Sequence, residues 1–281
     1  MSIGIKVKKG LDIQLAGGIA NGTSPSECRC ATVAIVPDDF TGLVPKMELK
    51  EGETVKAGQP IFHSKLDERL KVTSPVSGTI KAVVRGERRK ILRVVIEQGG
   101  GEPTKISTDG ILSDKKAARA AMLASGLWAM LRQRPYDIVP AADTRFRDIF
   151  VTGFDSAPLA WNPASFSQEE IKTLKAGAKL LSLLTDGKVY VSRRAGSSLP
   201  DIDGAEMVDV EGPHPASNAG TVIAAINPVN KGETVGCLDL ATLRRIGVLA
   251  LTGSVDISTT VAVTGSEVKT PRLVETVIGA E

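Results

Sequence analysis

The hydrophobic pattern of this chain changes character once, at Gly99-Gly100-Gly101 with Pro103 just beyond, and that change limits what the chain can fold into. From residue 28 to about 98, short apolar runs are cut at close intervals by turn residues. Ala31–Val36 is a strand candidate closed by Pro37, and Pro45–Lys50 alternates in period two ahead of Glu51-Gly52-Glu53. Val55, Ile61 and Phe62 bracket the turn Ala57-Gly58-Gln59-Pro60. Lys71–Pro75 leads into Gly78–Val84, and Ile91–Ile96 returns after the polar Arg85–Lys90 turn. Many short strands separated by turn signals specify a small all-β barrel or sandwich.

Beyond the glycines, which read as a hinge, the period becomes helical. Lys115–Leu123 is an Ala-rich helix with Ser113 as its expected N-cap and Gly126 just past its end. Ser167–Leu184 is the clearest helix: Ser167 and Glu170 form a capping box, and Ile171, Leu174, Ala178 and Leu181 share one face. Asp148–Thr152, Val189–Val191 and Met207–Val210 read as strands, with further helices at Ser217–Ile226 and at Leu240–Ala250, the last capped by Asp239. Strands alternating with helices imply crossover units and a mostly parallel sheet. Thr259–Val263 and Leu273–Ile278 are two more strands, too few to bury a core. The expected organisation is therefore a segment over 1–27, a β domain over 28–100, an α/β domain over 101–255, and the start of a truncated third, β-rich domain over 256–281.

Composition removes several functions. Lys+Arg 35 against Asp+Glu 32 gives a net charge of +3, and aromatics make up only 4%, which argues against nucleic acid as a partner. No apolar run approaches the roughly 18 residues of a membrane span, and the start of the chain lacks the apolar core of a signal peptide. A soluble, cytoplasmic chain is expected. The three cysteines, Cys28, Cys30 and the distant Cys237, give neither a closed disulfide framework nor a set of soft ligands, so no metal is expected.

An α/β domain invites a nucleotide, but the glycines are in the wrong places. Leu15–Gly22 does not fit G-x-G-x-x-G and precedes β structure, and no G-x-x-x-x-G-K-[ST] occurs. After the first helix the chain reads Gly126-Leu-Trp-Ala-Met-Leu-Arg-Gln-Arg-Pro135, with bulky residues where a phosphate cradle needs glycine. This is evidence against a bound flavin or NAD. Trp128, Leu131, Arg132, Arg134 and Tyr136 combine apolar surface with fixed charge. They read either as a core-facing helix with a basic edge or as a docking surface for an amphipathic ligand or a neighbouring subunit.

Two histidines limit acid–base chemistry. His63 lies beside Lys65 and Asp67 in what reads as a solvated turn, whereas His214 is held between two prolines just before a helix. The second is either part of a rigid loop or a ligand-contacting imidazole at a strand's carboxyl end. No G-x-S-x-G elbow supports a Ser-His-Asp triad, so no catalytic residue is assigned. Asp201 and Asp203 precede Gly204 as a turn rather than a calcium loop. Lys81, Arg85, Arg88, Arg89, Lys90 and Arg93 surround a hairpin tip, as a solvated turn or as a contact for acidic partners or anionic headgroups.

Read in order, Lys8–Gly17, Val44–Met47, Val72–Gly78, Val84–Gly86, Gly126–Trp128, Arg132–Pro135, Val139–Pro140, His214–Ala216 and Pro271–Val274 resemble the NqrA family along nearly the whole chain. That family is the A component of the bacterial Na+-translocating NADH:quinone reductase. Its members are longer, in keeping with a truncated end. The resemblance implies a barrel-sandwich hybrid of lipoyl/biotinyl type followed by a Rossmann-like α/β domain. It does not imply a swinging cofactor, because Lys65 sits in Phe62-His-Ser-Lys-Leu-Asp67 rather than in a Met-Lys-Met tip. The second domain is also similar to the flavin-bearing subunit of respiratory complex I and to the RnfC component of the Rnf complex. Their glycine-rich loop corresponds to Leu127–Pro135 here, so flavin and NADH binding do not carry over.

What the family implies is a peripheral subunit on the cytoplasmic face of the bacterial inner membrane, without a redox cofactor of its own, associated with quinone reduction and assembly. The flavins and the iron–sulfur centre are held by other subunits. The segments Asp39–Gly42 and Leu131–Tyr136 carry over as quinone-proximal. The candidate set is Asp39, Phe40, Gly42, Trp128, Leu131, Arg132, Arg134, Pro135, Tyr136 and His214. A standalone NAD- or flavin-binding oxidoreductase and a purely structural scaffold are the alternatives.

Overall fold

The computed structural model describes residues 2–20 and 22–281; Met1 and Asn21, the second inside the Leu15–Gly22 stretch, lie outside the described residues. The chain opens with β1 (Ile3–Lys6) and β2 (Ser26–Glu27). It then builds β3 (Thr32–Ile35), β4 (Pro45–Met47), β5 (Thr54–Val55), β6 (Pro60–Ser64), β7 (Asp67–Thr73), β8 (Gly78–Arg85) and β9 (Ile91–Gln98). These last seven form two antiparallel sheets, ordered β3-β9-β8-β5 and β4-β6-β7. Val33, Ile35, Ile61, Phe62, Val72, Ile80, Val94 and Ile96 fill the space between them. Alternation along β3, in the second half of β7 and at the start of β8 sends apolar residues inward, which a small barrel-sandwich requires.

His63 departs from its expected place in a solvated turn. It is 8% exposed, because β6 is the middle strand of its sheet and Lys46 and Lys71 flank it in register. Its Nδ1 lies 2.9 Å from Glu48 Oε1. Of the charged neighbours, Lys65 belongs to the turn that follows and Asp67 opens β7.

The second unit runs α1 (Lys115–Ala124), β10 (Arg132–Arg134), β11 (Ile149–Thr152), α2 (Gln168–Ser182), β12 (Val189–Arg194), β13 (Glu206–Glu211), α3 (Ala219–Ile226), β14 (Val235–Asp239) and α4 (Leu240–Thr252). Its sheet is ordered β1-β13-β12-β11-β14-β10 and is parallel except for β10. The period of two divides the sheet's faces. Ile149, Val151, Val189, Val191 and Leu238 join the layer of α1, α2 and α4, whereas Phe150, Tyr190, Val208, Val210 and Cys237 join the layer of α3. Burial pushes the Cys237 thiol up to about 12.

The helix ends follow local chemistry. The Ser167 hydroxyl accepts from Glu170 N at 3.2 Å while the Glu170 carboxylate accepts from Ser167 N at 2.7 Å, the reciprocal capping box. Asp239 caps α4 by accepting from Thr242 N. The α1 cap is Asp114 rather than Ser113: its carboxylate accepts from Ala117 N at 2.9 Å, while the Ser113 hydroxyl turns back to the Gly110 carbonyl. Helices α2 and α4 cross so closely that a β-carbon on Gly247 would lie 1.9 Å from the Thr173 carbonyl oxygen. Only glycine permits that approach.

The chain's outer segments complete sheets begun elsewhere. β1 is the parallel neighbour of β13. β15 (Ser258–Val263) and β16 (Arg272–Val277) form a hairpin, and β16 takes β2 as a parallel third strand. Ala280 then bridges Val33 of the barrel, and Glu281 pairs with Arg93 at 3.0 Å. Barrel and α/β unit are interlocked as well: Leu70 of β7 packs in the α/β core, while Ala129 and Val139 pack in the barrel core.

Candidate functional site

The stretch from Trp128 to Tyr136, one reading of which is a core-facing helix, belongs instead to a 3-10 turn over Leu127–Met130 followed by the edge strand β10. The physical reason is burial at short period. Trp128 is 1% exposed, its indole N–H donates to the Pro140 carbonyl at 3.0 Å, and it packs on Phe146 with ring centroids 5.9 Å apart. The Arg119 guanidinium lies 4.8 Å over the same ring and donates to the carbonyls of Ala142 and Thr144, and burial lowers its pKa. Leu131 is equally buried. Trp128 and Leu131 are thus core residues, whereas Arg132 and Arg134 are half-buried and Tyr136 is exposed.

Two of the segments singled out in the sequence meet. Arg132 donates from Nη2 to the Asp39 carbonyl at 2.6 Å and from Nη1 to the Ala129 carbonyl at 3.3 Å. Thr41 O accepts from Val139 N at 2.9 Å, and Gly42 lies against Ile138. Phe40 anchors its own segment on the barrel by an edge-on contact with Phe62 at 6.2 Å. Between Gln133 and Ile138 the chain makes a tight turn, with Gln133 N donating to Ile138 O and Asp137 N to Gln133 O. Arg134 and Asp137 pair across it at 3.3 Å. Pro135 and Tyr136 stand at its apex, Tyr136 with 74% of its surface exposed.

The join is braced from below. Arg69 of β7 holds Asp67 and reaches Asp143 of the α/β unit with two bonds of 2.9 and 2.6 Å, and its guanidinium holds both carboxyls below their usual range. The Thr73 hydroxyl donates to the Ser125 carbonyl at 3.0 Å.

His214 belongs to a different place, the carboxyl end of the parallel strands. Its Nδ1 lies 3.1 Å from Ser156 Oγ, which in turn is 2.9 Å from Ser217 Oγ. The two serines also exchange backbone bonds, Ser156 N to Ser217 Oγ and Ser217 N to Ser156 Oγ. This seam pins the loop after β11 to the start of α3, and Gly220 of that helix lies beside Arg134. Nothing in the sequence around Ser156 marked it. Next to the seam is a cavity of about 170 Å3 walled by Phe154, Phe166 and Leu199, with Arg194 stacked 5.3 Å over Phe154. A second, polar hollow of about 460 Å3 opens at the strands' amino ends. There Arg147 is tied to Asp148, Glu233 and the carbonyls of Asn227 and Pro228.

The remaining sequence candidates separate. Asp201 pairs with Arg193 and Asp203 with Lys175, so the two carboxylates share no ligand. At the hairpin tip Lys90 pairs with Asp38 and Arg93 with Glu281. Among the described residues no group of three or more His, Cys, Asp or Glu is gathered to hold a metal, and no helix is long and apolar enough to cross a membrane.

The class is defined by this succession: a barrel-sandwich hybrid locked to a Rossmann-like α/β domain through Arg69, Arg132 and Val139. Residues 5–99 match the family model described as the NqrA N-terminal barrel-sandwich hybrid domain, and residues 113–255 match the NqrA second alpha/beta domain. The chain belongs to the NqrA family. It is 36% identical over 286 residues to the A component of the Na(+)-translocating NADH-quinone reductase of Pasteurella multocida, covering 98% of this chain and 63% of that relative. It is 37% identical over 284 residues to the protein of the same name from Serratia proteamaculans (98% and 63%). The one from Neisseria meningitidis serogroup C is 37% identical over 289 residues (99% and 63%). The chain thus spans 63% of the length of these relatives.

Proposed function

We propose that this chain is a peripheral subunit of a Na+-translocating NADH:quinone reductase, docked on the cytoplasmic face of the membrane at the quinone-reducing end. In this reading it holds no redox cofactor itself; flavins and an iron–sulfur centre sit in neighbouring subunits. The observation that carries the reading is the union of Asp39–Gly42 with Arg132–Tyr136 on one surface of a chain of this family. Tyr136 offers an exposed aromatic face, and Arg132 and Arg134 place fixed positive charge beside it. A ring with an apolar body and polar edge suits an amphipathic ligand or a hot spot for a neighbouring protein. Trp128 and Leu131 act beneath as the floor that fixes the turn, and His214 stands apart on the seam with Ser156.

The alternative, a standalone oxidoreductase with NAD or flavin, is supported less well. Dinucleotide phosphates approach the first strand-to-helix turn of such a sheet. Here Gly153, directly after β11, is occupied by packing, since a β-carbon on it would lie 2.3 Å from Ser192 O and 2.8 Å from Leu199 Cδ2. The cavity of about 170 Å3 beside it is smaller than the roughly 300–1,000 Å3 of a typical ligand pocket.

The test is a titration of the purified protein with a short-tail ubiquinone analogue, followed by tryptophan fluorescence and repeated with Tyr136→Ala and Arg132→Ala. Saturable binding that both substitutions weaken at least tenfold supports a direct quinone contact at this turn. Binding indifferent to both, or none at all, moves the reading to a docking scaffold.

A further inference from the structure

A single exposed leucine needs no explanation, but three large apolar residues at alternate positions on an unpaired segment do. Leu11, Ile13 and Leu15 are 68%, 54% and 56% exposed. The segment continues from β1, whose pairing with β13 ends as Val7 N donates to Glu211 O. It is then pinned at two points. Leu11 N donates to His214 O at 3.0 Å, and Asp12 Oδ1 accepts from His214 N at 2.9 Å. Further on, Gly17 O accepts from Gly265 N at 3.1 Å. The anchors are tight: β-carbons on Gly10 and Gly17 would lie 2.0 Å from His214 O and 2.1 Å from Gly265 O. Between them, no backbone N–H or C=O of residues 12–16 is bonded to another described residue.

We propose that Leu11–Ala16 is a docking edge that takes an extended segment of a partner polypeptide as an added strand, with the partner's carboxylates meeting Lys8 and Lys9. Main-chain bonds supply affinity in such an addition, and alternate side chains supply register. In the extended form that an added strand requires, alternate residues project to the same side, so Leu11, Ile13 and Leu15 would meet the partner together. The charge requirement comes from the two lysines, which are exposed and form no ion pair among the described residues. A second copy paired edge to edge through this same segment would bring them only Asp12, not a carboxylate pair. Proteins guard exposed apolar edges with charge or proline, and residues 13–16 carry neither. Anchoring at both ends holds the edge in place before the partner arrives, which lowers the ordering cost of association. The inference draws on the subunit reading only for the source of the strand.

The probe is a fluorescein-labelled ten-residue peptide of alternating valine and threonine headed by two glutamates, titrated against the full chain by fluorescence anisotropy. A second peptide carries the glutamates at its other end and reports strand direction. The expected result is saturable binding of one of the two, weakened at least tenfold by Ile13→Lys with Leu15→Lys and at least threefold by Lys8→Glu with Lys9→Glu. These side chains are exposed, and circular dichroism of each variant verifies the fold. N-methylation of alternate peptide amides should abolish binding, and amide exchange at residues 12–16 should slow on saturation. Absence of binding, binding that survives N-methylation, or binding indifferent to both double variants overturns the proposal. So does a wild-type dimer in sedimentation that Ile13→Lys dissolves, since the occupant would then be a second copy. No quinone is present, so failure here leaves the quinone titration to stand or fall by itself.

Discussion

Arg132 and Asp39, 93 positions apart in sequence, are joined at 2.6 Å by a guanidinium-to-carbonyl bond across the line where the α/β unit meets the barrel. The same guanidinium holds the Ala129 carbonyl. One side chain therefore fixes both the 3-10 turn over Trp128 and the segment that leads to Gly42.

Replacing Arg132 with alanine should cost about 1 kcal/mol, the net value of a typical intramolecular hydrogen bond. The midpoint of thermal unfolding, followed by circular dichroism, should fall by about 2–4 °C for a chain of this size. Arg132→Lys should recover only part of the loss, because an ammonium lacks the planar fork that reaches two carbonyls. An alanine variant that melts with the wild type would show that the bond does not hold the join.

Acid should loosen the same join. The Arg69 guanidinium depresses the carboxyls of Asp67 and Asp143, so the stabilisation is complete above the unfolded-state value of about 3.9. It is lost as pH falls through the lower folded-state values. Urea midpoints of wild type and Asp143→Asn should differ at pH 5 and converge toward pH 2.5. A gap that stays constant over that range would rule the pair out as its source. Added salt should narrow the gap at pH 5, since both ends of the Arg69–Asp143 pair are largely solvent-facing.

Two glycine-to-alanine changes should move stability in opposite directions. At Gly247 the new β-carbon would meet the Thr173 carbonyl, and overpacking of this kind costs roughly 1–3 kcal/mol. At Gly220, in the first turn of α3, it would meet only Arg134 Nη2 at 3.7 Å. There the gain in helix propensity, up to about 1 kcal/mol, should prevail. Urea denaturation of both variants checks the pair, and equal signs would contradict the packing argument.

Trp128→Ala should destabilise by about 3–5 kcal/mol, the range for removing a buried aromatic side chain. Trp128→Phe keeps most of the packing but leaves the Pro140 carbonyl without its donor, for a cost of about 1–3 kcal/mol. Chemical denaturation should place the wild type first, the phenylalanine variant second and the alanine variant last. If phenylalanine matched tryptophan, the indole N–H would carry no stability.

What could be read from the sequence was local. Ser167 and Glu170 announce a helix start because both halves of the capping box lie within four residues. The alternation of Ile149, Phe150 and Val151 assigns each to a face of the sheet without knowledge of its neighbours. The misreadings arose where a distant partner decides. Lys65 and Asp67 make His63 look solvated, yet strands β4 and β7 enclose it. Trp128–Tyr136 can be read as a core-facing helix, yet Pro140, Phe146 and the edge of β14 draw this stretch into a turn and a strand. The meeting of Asp39–Gly42 with Arg132–Val139, and the seam between Ser156 and Ser217, have no signature within either segment. Each is a contact between side chain or backbone groups tens of residues apart.

The parallel pairing of Ser26 with Val274 and of Glu27 with Glu275 has a consequence for synthesis. A ribosome delivers the β2 strand almost first and its partner far later, so that sheet cannot close until the intervening chain has emerged. The seven barrel strands between them can already pair, because their partners lie within residues 32–98. Contacts of such long sequence separation form slowly once begun, and folding proceeds from the N-terminal side as the chain is made. The order of assembly on the ribosome should thus be barrel first, parallel sheet next, and the β2–β16 clasp only after β16 has cleared the exit tunnel.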